Sequence, residues 1–392
     1  MPAPQRFTSR EMIDKLVSFD TTSHLSNLAL IEFVEAYLAS HGVAAQRVTN
    51  EDGSKANLFA TLGPADKAGG IVLSGHTDVV PVEGQNWSTD PFRCVERDGK
   101  LFGRGTSDMK GFIAVALAFV PEFLKDGPQI PIHLALSYDE EVGCLGVRPM
   151  IDGIIRHMPR PQVVIVGEPS LMKVVNAHKS IQSYSTTVTG LESHSSATDK
   201  GVNAVMYAAE LIGFLSQMAE EMRRRGDASS RFQPPYTTVN VGPIRGGTAL
   251  NIIPKTCSFL WEYRALPDLD PDEIIGRFNA HVAENVLPRM RAVHPGANVE
   301  TRVRAQAPGL APAEGSPAET LVLKLAQCNA AEAVSYGTEA GLFQLADIPT
   351  VVCGPGDIAQ AHKPDEFVEL AQIAECERFM GRLADYVSGR PI

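Results

Sequence analysis

The residues best suited to chemistry in this sequence stand where apolar runs stop. Leu134-Ala135-Leu136-Ser137 leads into Tyr138-Asp139-Glu140-Glu141-Val142-Gly143, so a buried strand ends at three adjacent carboxylates and a glycine. Like charges packed together repel, and they are tolerated on a solvated turn or where a cation neutralises them. Taken alone, this stretch is an acidic exposed turn. Other apolar runs end in the same way, however. Ile71-Val72-Leu73-Ser74-Gly75 stops at His76 and Asp78, and Val163-Val164-Ile165-Val166-Gly167 stops at Glu168.

His76 and Asp78 are two apart on a strand, so both side chains leave the same face. That suits a metal-bound histidine whose other ring nitrogen is held by a carboxylate; it equally suits a polar strand end with a surface histidine. Asp108 precedes a helix, where it is either a plain N-cap or a carboxylate bridging two metals. Glu168 before Pro169 fits a surface loop acid, and His362 is one of ten histidines. As a set, His76, His362, Asp108, Glu141 and Glu168 offer the nitrogen and oxygen ligands that suit two zinc or cobalt ions sharing one bridge. Glu140 and Glu141 face opposite ways on a regular strand, but the turn at Val142-Gly143 can bring both to one cavity. A free carboxylate there can take a proton from water and pass it to a leaving nitrogen. The set points to a metallohydrolase.

The elements that must position these residues follow from patterning. Helical periodicity covers residues 9–19 and 25–41, and short strands are expected at 57–62, 70–76, 130–138 and 162–169. Residues 103–111 form a glycine-rich loop before an apolar helix at 112–124. It is not a dinucleotide fingerprint, because Asp108 replaces the third glycine. Strands alternating with helices argue for a largely parallel sheet covered on both faces, with a ligand crevice beyond the carboxyl ends of its strands. From 180 the texture changes. A half-exposed strand, a helix at 201–222, two strands, a helix begun by Asp270-Pro271-Asp272-Glu273 and a strand at 299–305 give the order β-α-β-β-α-β. The expected domains are therefore 1–179 with 306–392, and an inserted 180–305. A last helix, a loop at 336–341 and a strand at 350–356 lead to His362 and a closing amphipathic helix.

Bulk properties limit the function classes. With 392 residues, 44% hydrophobic and 21% charged, this is the composition of an ordinary globular protein of about two domains. A formal net charge of −11 disfavours nucleic acid and anionic membrane as main partners. No run is long enough to span a bilayer, and residues 1–7 lack the apolar core of a signal peptide. The six cysteines are scattered without a CxxC pair and read as reduced core residues, so a cytoplasmic location is expected.

Ser74-Gly75-His76-Thr77-Asp78, Gly105-Thr106-Ser107-Asp108-Met109-Lys110-Gly111, Asp139-Glu140-Glu141-Val142-Gly143, Gly167-Glu168-Pro169 and Ala361-His362-Lys363-Pro364-Asp365-Glu366 resemble, in order and along nearly the whole chain, the motifs of the co-catalytic zinc deacylase and peptidase family. The resemblance implies a zinc-peptidase-like α/β catalytic domain with an inserted ferredoxin-like lid that also dimerises. It implies His76 and Glu168 on one zinc, Glu141 and His362 on the other, Asp108 bridging, and a cis peptide at Asp108-Met109. Asp78 would orient His76, and Glu140 would be general base and then acid. In Gly190-Leu191-Glu192-Ser193-His194, His194 matches a histidine that polarises the scissile carbonyl, often across the dimer, although Leu191-Glu192-Ser193 departs from the small residues usual before it. The segment from Gly246 to Pro254, which includes Asn251, followed by Arg264, resembles one that grips a substrate carboxylate. Gly337, Thr338 and Glu339 match a substrate-facing loop. The surroundings of Glu141 and Gly354-Pro355-Gly356 look most like the branch that deacetylates N2-acetylornithine in arginine biosynthesis. Desuccinylases, aminoacylases and dipeptidases of the same family are the nearest alternatives, and a non-catalytic zinc-binding protein is a more distant one.

Overall fold

The Val-, Ile- and Leu-rich runs become the middle of an eight-stranded sheet in a computed structural model that describes residues 4–392. Its order is Ala45–Thr49, Ala56–Leu62, Ile132–Ser137, Ile71–His76, Val163–Pro169, Thr350–Gly354, Val175–His178 and Glu332–Val334. Ile132–Ser137, Ile71–His76, Val163–Pro169 and Thr350–Gly354 run parallel to one another. Antiparallel pairings begin beyond them, at Ala56–Leu62 on one side and Val175–His178 on the other. Every residue of the four parallel strands is buried, on both faces, which is why they read as continuous apolar runs without alternation. Leu73, Leu134, Ile165 and Val351 share one core with Phe112 and Ile113 of helix Lys110–Ala118 and with Phe379, Met380 and Leu383 of helix Leu370–Val387. The helix expected at 112–124 is two helices, Lys110–Ala118 and Val120–Leu124, with Pro121 at the start of the second.

The chain divides into two units. The first comprises the described residues up to Ala177, Pro312–Ala333 and Thr338–Ile392, and the second comprises His178–Ala311 and Val334–Gly337. The second unit has an antiparallel sheet in the order Thr238–Gly246, Thr256–Arg264, Ile181–Thr189, Asn298–Ala307. With helix Ala204–Arg224 after the first strand and helix Glu273–His281 after the third, this is the ferredoxin-like β-α-β-β-α-β arrangement. Burial alternates along Ile181–Thr189 and Thr256–Arg264, so one face carries the core and the other is partly exposed. Tyr184, Trp261 and Tyr263 stack on the core side beside Leu211, Leu215 and Phe278.

A small sheet of Phe367–Glu369, Lys100–Phe102 and Val95–Arg97 was not legible in the pattern, because three-residue strands carry no periodicity. It matters to the site. Phe367 pairs with Phe102, so the loop after Phe102, which carries Asp108, lies against the loop before Phe367, which carries His362. Among the described residues no helix is long and apolar enough to cross a membrane.

Candidate metal centre

Parallel neighbours bring the first two donors together. Ser74 lies opposite Val166, which sets His76 level with Glu168 at the carboxyl ends of adjacent strands. His76 Nε2 lies 3.1 Å from Asp108 Oδ1 and 3.7 Å from Glu168 Oε1. On the other side, His362 Nε2 lies 3.3 Å from Asp108 Oδ2 and 3.1 Å from Glu141 Oε2. Donor atoms within each trio, His76–Asp108–Glu168 and Asp108–Glu141–His362, all lie within 4.8 Å of one another. Asp108 is common to both and presents one oxygen to each. The peptide that follows it, Asp108–Met109, is cis.

Electrostatics give the fit of cations here. Asp78, Asp108, Glu140 and Glu168 are all buried, and Glu141 is nearly so. Burial first, then Asp108, pushes Glu168 well above the usual carboxylate range. Burial and Asp108 also raise Glu141. Burial, opposed by His76 but joined by Glu141, Asp78 and Asp108, pushes Glu140 up to about 8. Burial works against protonated His76, yet Asp108 and Glu168 hold it well above its ordinary value. Hydrogen bonds to Asp108 and Glu141 raise His362 to about 10. Burial would raise Asp108 too, but His362 and His76 together hold it below its ordinary value. A buried cluster that draws protons onto both histidines and its glutamates lacks positive charge, and two divalent ions at the two trios would supply it.

The turn after Ser137 resolves how adjacent glutamates serve one site. Asp139 adopts a left-handed φ of 56°, and the amides of Gly143 and Cys144 both donate to the Glu140 carbonyl at 2.8 Å. The curl turns Glu141 into the second trio while Glu140 belongs to neither. Glu140 Oε1 accepts the Cys144 thiol at 3.2 Å. Asn57 clamps the turn, accepting the Tyr138 amide at 3.2 Å and donating to the Gly146 carbonyl at 2.7 Å.

Asp78 acts on a different partner from the one its spacing suggests. His76 Nδ1 donates to the Asp78 backbone carbonyl at 2.8 Å, whereas the Asp78 carboxylate is 3.6 Å away. A carbonyl only accepts, so Nδ1 carries a proton, and Nε2, which faces Asp108 and Glu168, is the ring nitrogen available to an ion. The Asp78 carboxylate instead accepts the Glu140 and Glu141 amides at 3.1 and 3.3 Å and the Ser23 hydroxyl at 2.8 Å.

Thr338 and Glu339 are wholly buried in the first unit. Glu339 accepts the Ser74 and Ser137 hydroxyls at 2.6 and 2.8 Å, tying together the ends of the strands that carry His76 and the carboxylate turn. Gly337 belongs to the second unit, where an added Cβ would meet Ile181 at 2.5 Å. His194 is exposed on the second unit. Its Nδ1 accepts the Ser196 amide at 3.2 Å, which leaves the ring proton on Nε2 as a donor. Arg264 Nη2 lies 3.1 Å from Glu262, and Asn251 is exposed, with its carbonyl accepting the Ser195 amide at 3.0 Å.

Sequence reasoning assigned no part to Ser23, Gln85, Arg104, Cys144 or Glu366. Glu366 stands inside the motif around His362, but its partners lie about 260 residues earlier, so no local pattern announces it.

The pattern that defines the peptidase family M20/M25/M40 matches residues 72–386. An acetylornithine deacetylase of Myxococcus xanthus is 35% identical over 391 residues, covering 97% of this chain and 98% of that one. An acetylornithine deacetylase of Pasteurella multocida is 35% identical over 387 residues, covering 95% and 96%. Among solved structures, an M20 family metallo-carboxypeptidase from Sulfolobus solfataricus superposes with a TM-score of 0.75 at 17% identity, covering 97% of this chain and 99% of that one. The chain belongs to the peptidase family M20/M25/M40.

Proposed function

We propose that this member of the family is a metal-dependent amide hydrolase that removes the acetyl group of N2-acetylornithine, giving ornithine and acetate in arginine biosynthesis. The observation that carries the reading is Asp108 presenting one oxygen to each of two donor trios, beside a carboxylate, Glu140, that joins neither. The two relatives named acetylornithine deacetylase support the choice of substrate. In this reading His76 and Glu168 hold one zinc ion, Glu141 and His362 hold the other, and Asp108 is shared, with cobalt able to substitute. Bound there, such ions polarise an amide carbonyl and make a water acidic enough to attack it.

Glu140 takes a proton from the attacking water as the new C–O bond forms, then delivers it to the nitrogen as the C–N bond breaks, releasing an amine and acetate. Standing outside both donor trios, it is free for both transfers. Asp78 keeps Glu140 in place through the backbone. His194 donates its Nε2 proton to the developing oxyanion. Arg264 forks onto the substrate carboxylate, with Asn251 and Gly337 as further substrate contacts, whereas Glu339, wholly buried like Thr338, braces the strand ends of the first unit. The reading includes a homodimer through the second unit, supported by its edge strand Thr238–Gly246, where Ile244 is 49% exposed, and by Leu250, which is fully exposed. The six free cysteines fit a cytoplasmic setting.

The deciding experiment is turnover of zinc- or cobalt-loaded protein on N2-acetylornithine beside N-succinyl-diaminopimelate and N-acetylmethionine. A strong preference for acetylornithine supports the reading. Preference for another substrate keeps the mechanism and overturns the substrate. Silence on all three, with metal bound, overturns the acetylornithine reading and points to an acyl substrate outside the three or to a binding role.

A further inference from the structure

His362 is the least sheltered of the five donors, with its side chain 54% exposed and a left-handed φ of 62°. Neither burial nor backbone preference holds it in place. What holds its loop is polar. Gln85 Nε2 donates to the His362 carbonyl at 2.9 Å, and Gln85 Oε1 accepts Arg104 Nη2 at 2.6 Å. Arg104, 1% exposed, donates Nη1 to Glu366 Oε2 at 2.8 Å and to the Lys363 carbonyl at 3.3 Å. Glu366, also 1% exposed, closes the network onto the other loop. Its carboxylate accepts the amides of Gly105 at 3.1 Å, Ser107 at 2.9 Å and Asp108 at 3.0 Å, and its carbonyl accepts the Gly103 amide at 2.9 Å. One buried carboxylate therefore fixes the backbone of the shared donor Asp108 and, through Arg104 and Gln85, that of His362. His76 and Glu168 have no such dependence, because they stand on two adjacent, fully buried strands.

We infer that Glu366, with Arg104 and Gln85, is a positioning network for the His362 half of the centre, so that loosening it releases the ion held by Asp108, Glu141 and His362 before the ion held by His76, Asp108 and Glu168. The inference rests on the two-ion reading above. Outer partners of metal ligands commonly govern affinity by about 10- to 100-fold, and here that effect falls on one ion of two. The network also accounts for a buried Arg–Glu pair that lies apart from the donor atoms.

The test is chelator competition on the full chain, with zinc, and with cobalt followed by its visible absorption, for wild type, Glu366→Gln, Gln85→Met and His362→Ala. Wild type binding two ions, Glu366→Gln and Gln85→Met each weakening one ion by about 10- to 100-fold, and the ion lost matching the cobalt band lost in His362→Ala, is the expected result. Unchanged affinity for both ions in a folded Glu366→Gln overturns the inference, as does equal weakening of both. Gln85 is only half-buried. If Glu366→Gln does not fold, Gln85→Met decides by the same criterion. Wild type binding fewer than two ions overturns the two-ion reading itself, and this inference with it.

Discussion

The carboxylate of Asp78 holds the backbone of Glu140: Asp78 Oδ1 accepts the Glu140 amide at 3.1 Å, while Oδ2 accepts the amide of Glu141 at 3.3 Å. One buried acid thus sets the turn that separates the candidate ligand Glu141 from Glu140, the proposed proton carrier. Hydrogen bonds to a charged acceptor are the strong kind, so their loss is felt at both residues. Asp78→Ala is expected to lower kcat by about 10- to 100-fold with a smaller change in KM. An unchanged kcat in steady-state kinetics would show that the turn holds itself.

Glu140 stands apart from both donor trios, so proton transfer and metal binding should separate on mutation. Glu140→Gln is expected to retain metal while kcat falls by about 10²- to 10⁴-fold. Metal analysis and turnover on one sample check this. Full activity in that variant removes Glu140 from the mechanism.

Metal removal should cost stability as well as activity, because the buried acids Asp108, Glu140 and Glu168 are left to repel one another. With ions present at about a thousand times their dissociation constant, the folded state gains about 4 kcal/mol per site. Chelated protein is expected to lose turnover, melt earlier, and recover both on adding zinc or cobalt. An unaltered melting temperature after complete chelation would contradict this account of the cluster.

Acid should destabilise the fold partly through His133, a residue away from the centre. Its ring is buried on strand Ile132–Ser137, with Nδ1 3.0 Å from Thr61 Oγ1, and burial pushes its pKa from 6.5 down to about 4. The unfolded chain therefore takes up the proton first as pH falls. The histidine's contribution is complete above pH 6.5 and declines as pH falls towards 4, by up to about 1.4 kcal/mol per pH unit. His133→Gln should flatten the fall in urea-unfolding free energy between pH 6.5 and 4.5. Parallel curves for the two proteins would rule His133 out as the source.

The sequence by itself determined which residue types stand at the ends of which strands. Apolar runs of four to six residues must be buried, and the polar residue that ends each one must lie at the carboxyl end of its strand. His76, Glu141 and Glu168 were therefore legible as a set, as were the eventual αβ layering and the β-α-β-β-α-β order of the second unit. Only the tertiary structure decided which atoms meet. The spacing of His76 and Asp78 suggested a carboxylate on the imidazole, but the backbone carbonyl takes that place and frees the carboxylate for the turn at Glu140. Glu366 stands in the motif around His362 without a partner nearby in sequence, and three-residue strands bring it against the amides of Gly105, Ser107 and Asp108. The reason is physical. Burial and periodicity are properties of neighbours in sequence, whereas a hydrogen bond joins whichever donor and acceptor the packing of distant segments leaves face to face.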